Sequence, residues 1–365
     1  MVISRINTDH PQAIKHIGVK KIIEKTPLLN KLLEYGEEKT ISFHTPGHKA
    51  GNAYKKKVYK KFKDQIMNMD TSEIPGLDNL HNPQGIISKA QDRAAEVFKS
   101  EGTFFLVNGS TSGIYAMIMA ATCPGDKIII GRNCHQSVIN ASILADLVPL
   151  YLLPQMDKKQ GIALGISPQE LENTLLQHPD AKAVIITYPT YHGLACDLKT
   201  IAELVHRHGK ILLVDEAHGA HLGLSNKLPK PALACGADAV VQSIHKSLPS
   251  FTQSSMLHIQ GNRIDRDKLK FMLRVHQSSS PSYLLMASLD LATTIYQNQG
   301  KELMEKLLYN INVFKEKLKG IEGIDILGTE RVGRDYIKAI DTSKLWISME
   351  KNRLTGYDLE RKLRE

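Results

Sequence analysis

Leu212-Leu213-Val214-Asp215-Glu216-Ala217-His218-Gly219 is an unbroken apolar run that ends on an acid and then turns through small residues. A strand apolar at every position, not at alternate ones, is buried on both faces, and such strands belong to parallel sheets covered by helices. Runs of the same kind lie at 103–107, 127–131, 149–153, 183–188, 239–243 and 255–259, beside 211–215. Helical patterns at 112–122, 137–145, 168–177 and 198–208 fill most of the gaps. This alternation predicts a doubly wound α/β fold, with a mostly parallel seven-stranded sheet and helices on both faces.

The rhythm sets the expected domains. Residues 1–80 read as a helical N-terminal arm followed by loops rich in Pro and Gly. Residues 81–282 carry the alternating pattern and form the large, ligand-binding domain. From 283 the pattern changes: one or two long helices over 283–318, strands at 324–327 and 345–349, and an amphipathic helix at 356–364. Residues 283–365 are therefore expected to form a small C-terminal α+β domain, truncated because the sequence stops within that helix.

Composition narrows the class. The chain has 365 residues, 42% of them hydrophobic, ample for a core in two domains or in a large and a small one. The formal charge is +9, part of it crowded at Lys55, Lys56, Lys57, Lys60, Lys61 and Lys63. Such a run reads as a solvated face, and no helix-turn-helix, zinc-finger or RNA-binding motif accompanies it, so no nucleic-acid partner is expected. Cys123, Cys134, Cys196 and Cys235 form no C-x-x-C pair and flank no His/Cys cluster. They read as reduced thiols of a cytoplasmic protein, with no metal site. Met1 to His10 lacks the apolar stretch of a signal peptide, and the longest apolar run, 114–121, is too short to span a bilayer, so no membrane association is expected.

Four strand ends carry chemistry. Ser243-Ile244-His245-Lys246-Ser247 follows one buried strand. Burial lowers the pKa of a lysine, which makes its amine able to form an imine with a carbonyl. Asp215 is delivered to the carboxyl end of its own strand, the edge where open α/β sheets bind ligands. A carboxylate there can hold a proton on a pyridine nitrogen; otherwise it is a helix cap. Phe105-Leu106-Val107-Asn108-Gly109-Ser110-Thr111-Ser112-Gly113 is strand, hydroxyl-rich turn and helix start, a phosphate cradle in type but neither a Walker A loop nor a dinucleotide fingerprint. His135 stands just after the strand 127–131. Each signal alone is weak; their shared place on one rim gives them weight.

In this order the motifs resemble the pyridoxal-phosphate (PLP)-dependent transferase-like fold of the aspartate aminotransferases. More narrowly the sequence resembles the Orn/Lys/Arg decarboxylase family, in the short form without an N-terminal wing domain. Thr45-Pro46-Gly47-His48-Lys49, Glu73-Ile74-Pro75-Gly76-Leu77-Asp78-Asn79-Leu80-His81, the segment from Ser243 to Ser254, and Ser278-Ser279-Ser280-Pro281-Ser282-Tyr283 carry the likeness. It implies that Lys246 holds PLP as a Schiff base, Asp215 pairs with the pyridine nitrogen and His135 stacks on the ring. It also implies that Ser110, Thr111, Ser112, Ser243 and His245 lie at the phosphate, that His218 lies near the cofactor, and that Ser279 and Ser280 reach a neighbouring subunit's cofactor across a homodimer interface. Family members continue beyond 356–364 and take an acidic residue near the substrate from that part, which this sequence lacks.

The implied reaction is loss of CO2 from arginine, lysine or ornithine, giving an amine that serves as a polyamine precursor. The cationic side chain of the substrate needs a carboxylate, for which Glu73 and Asp78 are the candidates. Rival expectations are another enzyme of the same fold, such as an aminotransferase or a cysteine desulfurase-like protein, and a truncated, non-catalytic PLP-binding paralogue. A PLP-dependent transcription regulator fits less well, because no DNA-binding domain is attached.

Overall fold

The structure, a computed structural model, describes residues 26–38, 41–55, 57–158, 160–349 and 355–364. The expectations for Met1 to His10, for the rest of the arm before residue 26 and for Lys56 lie outside these residues. The chain divides into two compact units, Met1–Phe43 and His44–Glu365. In the first, the described helix is Pro27–Glu37, which opens on a proline at the position where a missing N–H is harmless. The second unit carries every candidate site residue.

Its strands, in chain order, begin with β1 (Gly102–Leu106), β2 (Lys127–Gly131) and β3 (Val148–Leu152). A small hairpin of β4 (Met156–Asp157) and β5 (Ile162–Ala163) follows. Then come β6 (Ala183–Thr187), β7 (Leu194–Ala195), β8 (Ile211–Asp215), β9 (Ala239–Gln242) and β10 (Ser255–Ile259). Seven of these form one sheet in the order β1-β10-β9-β8-β6-β2-β3. The five from β9 to β3 pair in parallel, while β10 runs antiparallel to both its neighbours. Hence β1 points the same way as the parallel five. The carboxyl ends of β1, β2, β6, β8 and β9 meet the amino end of β10 on one edge.

The continuous apolar runs are explained by two cores, one on each face. Ile129, Val184, Val214 and Val240 face one of them, and their neighbours Ile128, Ile130, Ile185, Leu213 and Val241 face the other. Fully burying each such side chain contributes about 1.5–3 kcal/mol, so a polar residue anywhere along these strands would be costly. The helices Gly109–Ala121 and Arg266–His276 cover the second face. The latter was not apparent from its charged composition, although Asp265 caps it with bonds from the N–H groups of Asp267 and Lys268, and Leu269 and Leu273 are buried.

Tyr283–Leu318 is a single helix of 36 residues whose first half enters the same core as the sheet through Tyr283, Met286, Leu289 and Ala292. Beyond it lie β11 (Asp325–Leu327), β12 (Ala339–Ile340), β13 (Trp346–Ser348) and the helix Gly356–Arg364. β11 pairs with β13, whereas β12 pairs back onto β7 of the large sheet's crossover. No described helix is long and apolar enough to cross a membrane.

Candidate active site

The common edge of the sheet gathers the predicted residues. β8 ends on Asp215, which is buried at 4% exposure, and its Oδ1 accepts a bond from the Ala217 N–H at 3.1 Å. β9 leads into the single turn Ile244–Ser247, which carries Lys246. The Lys246 amine lies 3.2 Å from Nε2 of His218, three residues past Asp215. Burial lowers the pKa of Lys246; Asp215 opposes that shift and Lys344 adds to it. Burial, helped by the Lys246 charge, takes His218 down to about 3, so its imidazole is neutral beside the amine. Desolvation raises the pKa of Asp215, with the Ala217 N–H, Lys246 and His135 pulling the other way.

The turn after β1 has the form of an anion site. Gly109 takes φ +75°, a conformation that favours glycine, and opens the helix Gly109–Ala121. Asn108 at its N-cap makes no side-chain capping bond, so the first-turn N–H groups keep their donors for a ligand. Ser110 Oγ lies 2.6 Å from Ser243 Oγ and 3.0 Å from Ser255 Oγ, joining three strand ends in a cluster of hydroxyls. Ser255 is the member of this cluster that sequence reasoning missed; the hydroxyl-rich segment before it was the available signal. Thr111 is exposed on the same turn, whereas Ser112 is buried and spends its hydroxyl on the Gly109 carbonyl at 2.8 Å.

Other candidates are placed less directly. His135 caps the helix Gln136–Leu144, its Nδ1 accepting from the Ser137 N–H at 3.2 Å, and its ring is exposed at the rim. His245 is tied by Nδ1 to the Ser254 carbonyl at 2.9 Å. Ser279 and Ser280 are exposed on a loop whose first residue, Ser278, donates its N–H to Asn108 Oδ1 at 3.2 Å. That loop is therefore fastened to the anion turn.

The motifs nearer the N-terminus prove to be supports. The Gly47 N–H donates to the His245 carbonyl at 2.7 Å, and the Tyr54 hydroxyl donates to the Pro249 carbonyl at 2.8 Å. A Cβ on Gly47 would come within 2.8 Å of the Leu248 carbonyl carbon, so only glycine lets this motif lie against the lysine turn. Asp78, expected to meet the substrate cation, is engaged by the backbone. Its Oδ1 accepts the N–H groups of Asn79 and Gln84, and its Oδ2 those of Gly85, Ile87 and Ser88, at 2.7 to 3.2 Å. These bonds hold its pKa at about 2 and commit both oxygens to the start of the helix Ile86–Phe98, leaving none for a substrate cation. Glu73 is exposed on the same loop, and the Tyr283 phenol nearby has its pKa raised by burial first and then by the charges of Glu73 and Asp78. Sequence reasoning also missed Tyr191, whose ring meets that of His218 edge-on at 5.3 Å, and Lys344 beyond it.

The donor set fits PLP. Asp215 is a buried carboxylate to which, among the described residues, no side chain donates a hydrogen bond, and a protonated pyridine nitrogen would complete it. The hydroxyl cluster and the uncapped helix start suit a phosphate, and Lys246 supplies an amine on the same sheet edge. Fold and rim together define an enzyme of the PLP-dependent transferase class.

Comparison with known proteins narrows this. The Orn/Lys/Arg decarboxylase major-domain family matches residues 26–358. The arginine decarboxylase of Bacillus subtilis (strain 168) is 40% identical over 341 residues, 93% of this chain and 70% of that protein. Lysine decarboxylase LdcA of Pseudomonas aeruginosa is 27% identical over 330 residues, 81% of this chain and 43% of that protein. Among solved structures, the lysine decarboxylase LdcF of Francisella novicida superposes with a TM-score of 0.65 at 25% identity, over 88% of this chain and 50% of that one. This chain belongs to the Orn/Lys/Arg decarboxylase family, whose members are PLP-dependent. It spans about half the length of the solved lysine decarboxylase.

Proposed function

We propose that this chain, carrying PLP at Lys246, removes the α-carboxylate of a basic amino acid as CO2 and releases the amine, with arginine as the preferred substrate. The observation that carries the reading is the pairing, on one sheet edge, of the Lys246 amine with a neutral His218 at 3.2 Å, beside the buried Asp215. The choice of arginine rests on the arginine decarboxylases of Bacillus subtilis and Bacillus anthracis, at 40% and 36% identity over 93% of this chain, against 27% for the lysine decarboxylase.

PLP, when bound, supplies an electron sink for the bond between Cα and the carboxylate. The protein's residues do the rest. Asp215 holds a proton at the pyridine nitrogen from a pocket where its charge is unscreened by water. Ser110, Ser243 and Ser255, with the amides of the Gly109–Ala121 helix, fix the phosphate. Burial keeps a fraction of Lys246 deprotonated, so that its amine can take up a carbonyl and later carry a proton to Cα, with His218 as its hydrogen-bond partner. The exposure of Thr111, His135, Ser279 and Ser280 in a single copy supports a site completed in a homodimer. Four free cysteines support a reducing, cytoplasmic setting.

The test is a visible spectrum of the purified chain with PLP, followed by addition of arginine, lysine and ornithine in turn while CO2 is trapped. An imine absorbance band lost in Lys246→Ala, with CO2 from arginine above the other two, is the expected result. A band without CO2 from any of them would overturn the catalytic reading and leave a PLP-binding protein. CO2 from lysine or ornithine in preference to arginine would overturn the substrate assignment alone.

A further inference from the structure

Lys344 is a cation on the rim of the site whose one opposing charge, among the described residues, is the Asp341 carboxylate. Among the described residues its Nζ has no ion pair and no hydrogen bond. It lies 5.9 Å from the centre of the Tyr191 ring, which in turn meets His218 edge-on at 5.3 Å, and His218 touches the Lys246 amine. One aromatic ring therefore separates it from the reactive end of the site.

Its placement is built. Asp341, fully buried, accepts bonds from His221 Nε2 at 3.0 Å and from the Ser343 hydroxyl at 2.6 Å, so its hydrogen bonds go to these groups while its charge acts on Lys344 without a direct contact. The Asp341 N–H donates to the Gly193 carbonyl at 2.8 Å, and on the other side of Lys344 the Trp346 indole donates to the His192 carbonyl at 2.7 Å. The segment is thus pinned to the 190–195 loop on both flanks. Gly193, at φ +82°, leaves the space that the stem of Lys344 uses: a Cβ there would meet Lys344 Cδ at 3.0 Å.

We propose that Lys344 receives the α-carboxylate of the amino-acid substrate at the Lys246 site. This rests on the function proposed above. Lys344 lends the Lys246, His218 and His192 side of the rim a positive charge, while Asp215 lies at the sheet end on the cofactor side. A zwitterionic amino acid entering such a field turns its carboxylate toward Lys344 and its cationic side chain away. Once CO2 has left, the amine product has nothing for Lys344 to hold, so the contact favours binding of the substrate over retention of the product.

The experiment compares two unreactive probes on the full chain stripped of PLP: the reduced conjugate of PLP with arginine, and the reduced conjugate with the amine that arginine yields. They differ only in the carboxylate. In Lys344→Met, which keeps the stem and removes the charge, the arginine conjugate is expected to bind about ten- to hundredfold more weakly, the range for a hydrogen bond to a charged group, while the amine conjugate stays within about twofold. Equal loss for both conjugates would make Lys344 merely structural, and no loss for either would remove it from the site; both results overturn the proposal. If neither conjugate binds the unaltered chain, the PLP site itself is misassigned and the inference falls with it.

Discussion

Replacing Asp78 by alanine should cost stability and leave substrate choice alone. The carboxylate gathers five backbone N–H groups, three of them at the start of the helix Ile86–Phe98, which packs against β1. Loss of an N-cap costs about 0.5–2 kcal/mol, and five backbone donors place this one toward the upper part of that range. Solvent screening of a carboxylate that is only partly buried limits the rest, so about 1–2 kcal/mol is the working figure. A chain of this length unfolds with an entropy near 2.1 cal/mol/K per residue, so the thermal midpoint should fall by about 1–3 °C.

The pH dependence has a definite sign. The folded pKa of about 2 lies below the ordinary value of 3.8. The contribution is therefore fully present above the unfolded pKa and is lost as the pH falls from about 4 toward 2. The assay is a pair of thermal melts, unaltered chain against Asp78→Ala, at neutral pH and again near the acid end, with Asp78→Asn as an intermediate that keeps one acceptor. The gap between the two proteins should narrow in acid. An Asp78→Ala protein that melts like the unaltered chain yet changes its preference among arginine, lysine and ornithine would refute this reasoning and restore Asp78 as a substrate contact.

Three further outcomes follow from the geometry. Ser110→Ala removes the hydroxyl shared by Ser243 and Ser255 and should weaken PLP binding about tenfold in an absorbance titration; unchanged affinity would move the phosphate elsewhere. Asp341→Ala removes the hydrogen-bond partner of the buried His221 and frees the segment that presents Lys344, at a cost of about 1–3 kcal/mol; proteolysis at 337–348 should accelerate, and an unchanged rate would count against the anchor. Gly47→Ala pushes a methyl group onto the Leu248 backbone and should cost about 1–3 kcal/mol with a displaced Lys246 turn, read as a shifted imine absorbance; a normal spectrum and melt would show that the turn gives way freely.

What could be read in the sequence follows from what burial imprints on it. All seven strands of the main sheet were legible because both faces are covered, which removes polar residues from each run. The reversal of β10 was not legible, since an apolar strand looks the same in either direction. Asp215, Lys246 and the Ser110 turn could be singled out because a strand end is a local event. The engagement of Asp78 was not legible for the same reason: an acid in a loop looks available until the backbone amides of residues 79–88 close around it. Lys344 left no local trace. It reaches the rim through a two-residue strand pair, Ala339 with Ala195 and Ile340 with Leu194, that no periodicity announces.

The site's proton inventory follows from depth as much as from residue type. Desolvation is the leading influence on His192, His218 and His245, and in each case it favours the neutral ring. The same burial acts on Lys246 and Lys344, so both amines lose protons more readily than surface lysines. Asp215 is the counterweight, the acid whose charge supports protonation of Lys246. Binding a pyridinium at Asp215 would spend that charge on the ring nitrogen, and Lys246 would then feel chiefly burial and Lys344. Cofactor binding by this route would remove a charge that supports the protonated amine, and so would favour its neutral, nucleophilic form. The edge of a parallel sheet permits this because it seats an acid at one strand end and an amine at the next, close enough to share a field and far enough apart to hold different partners.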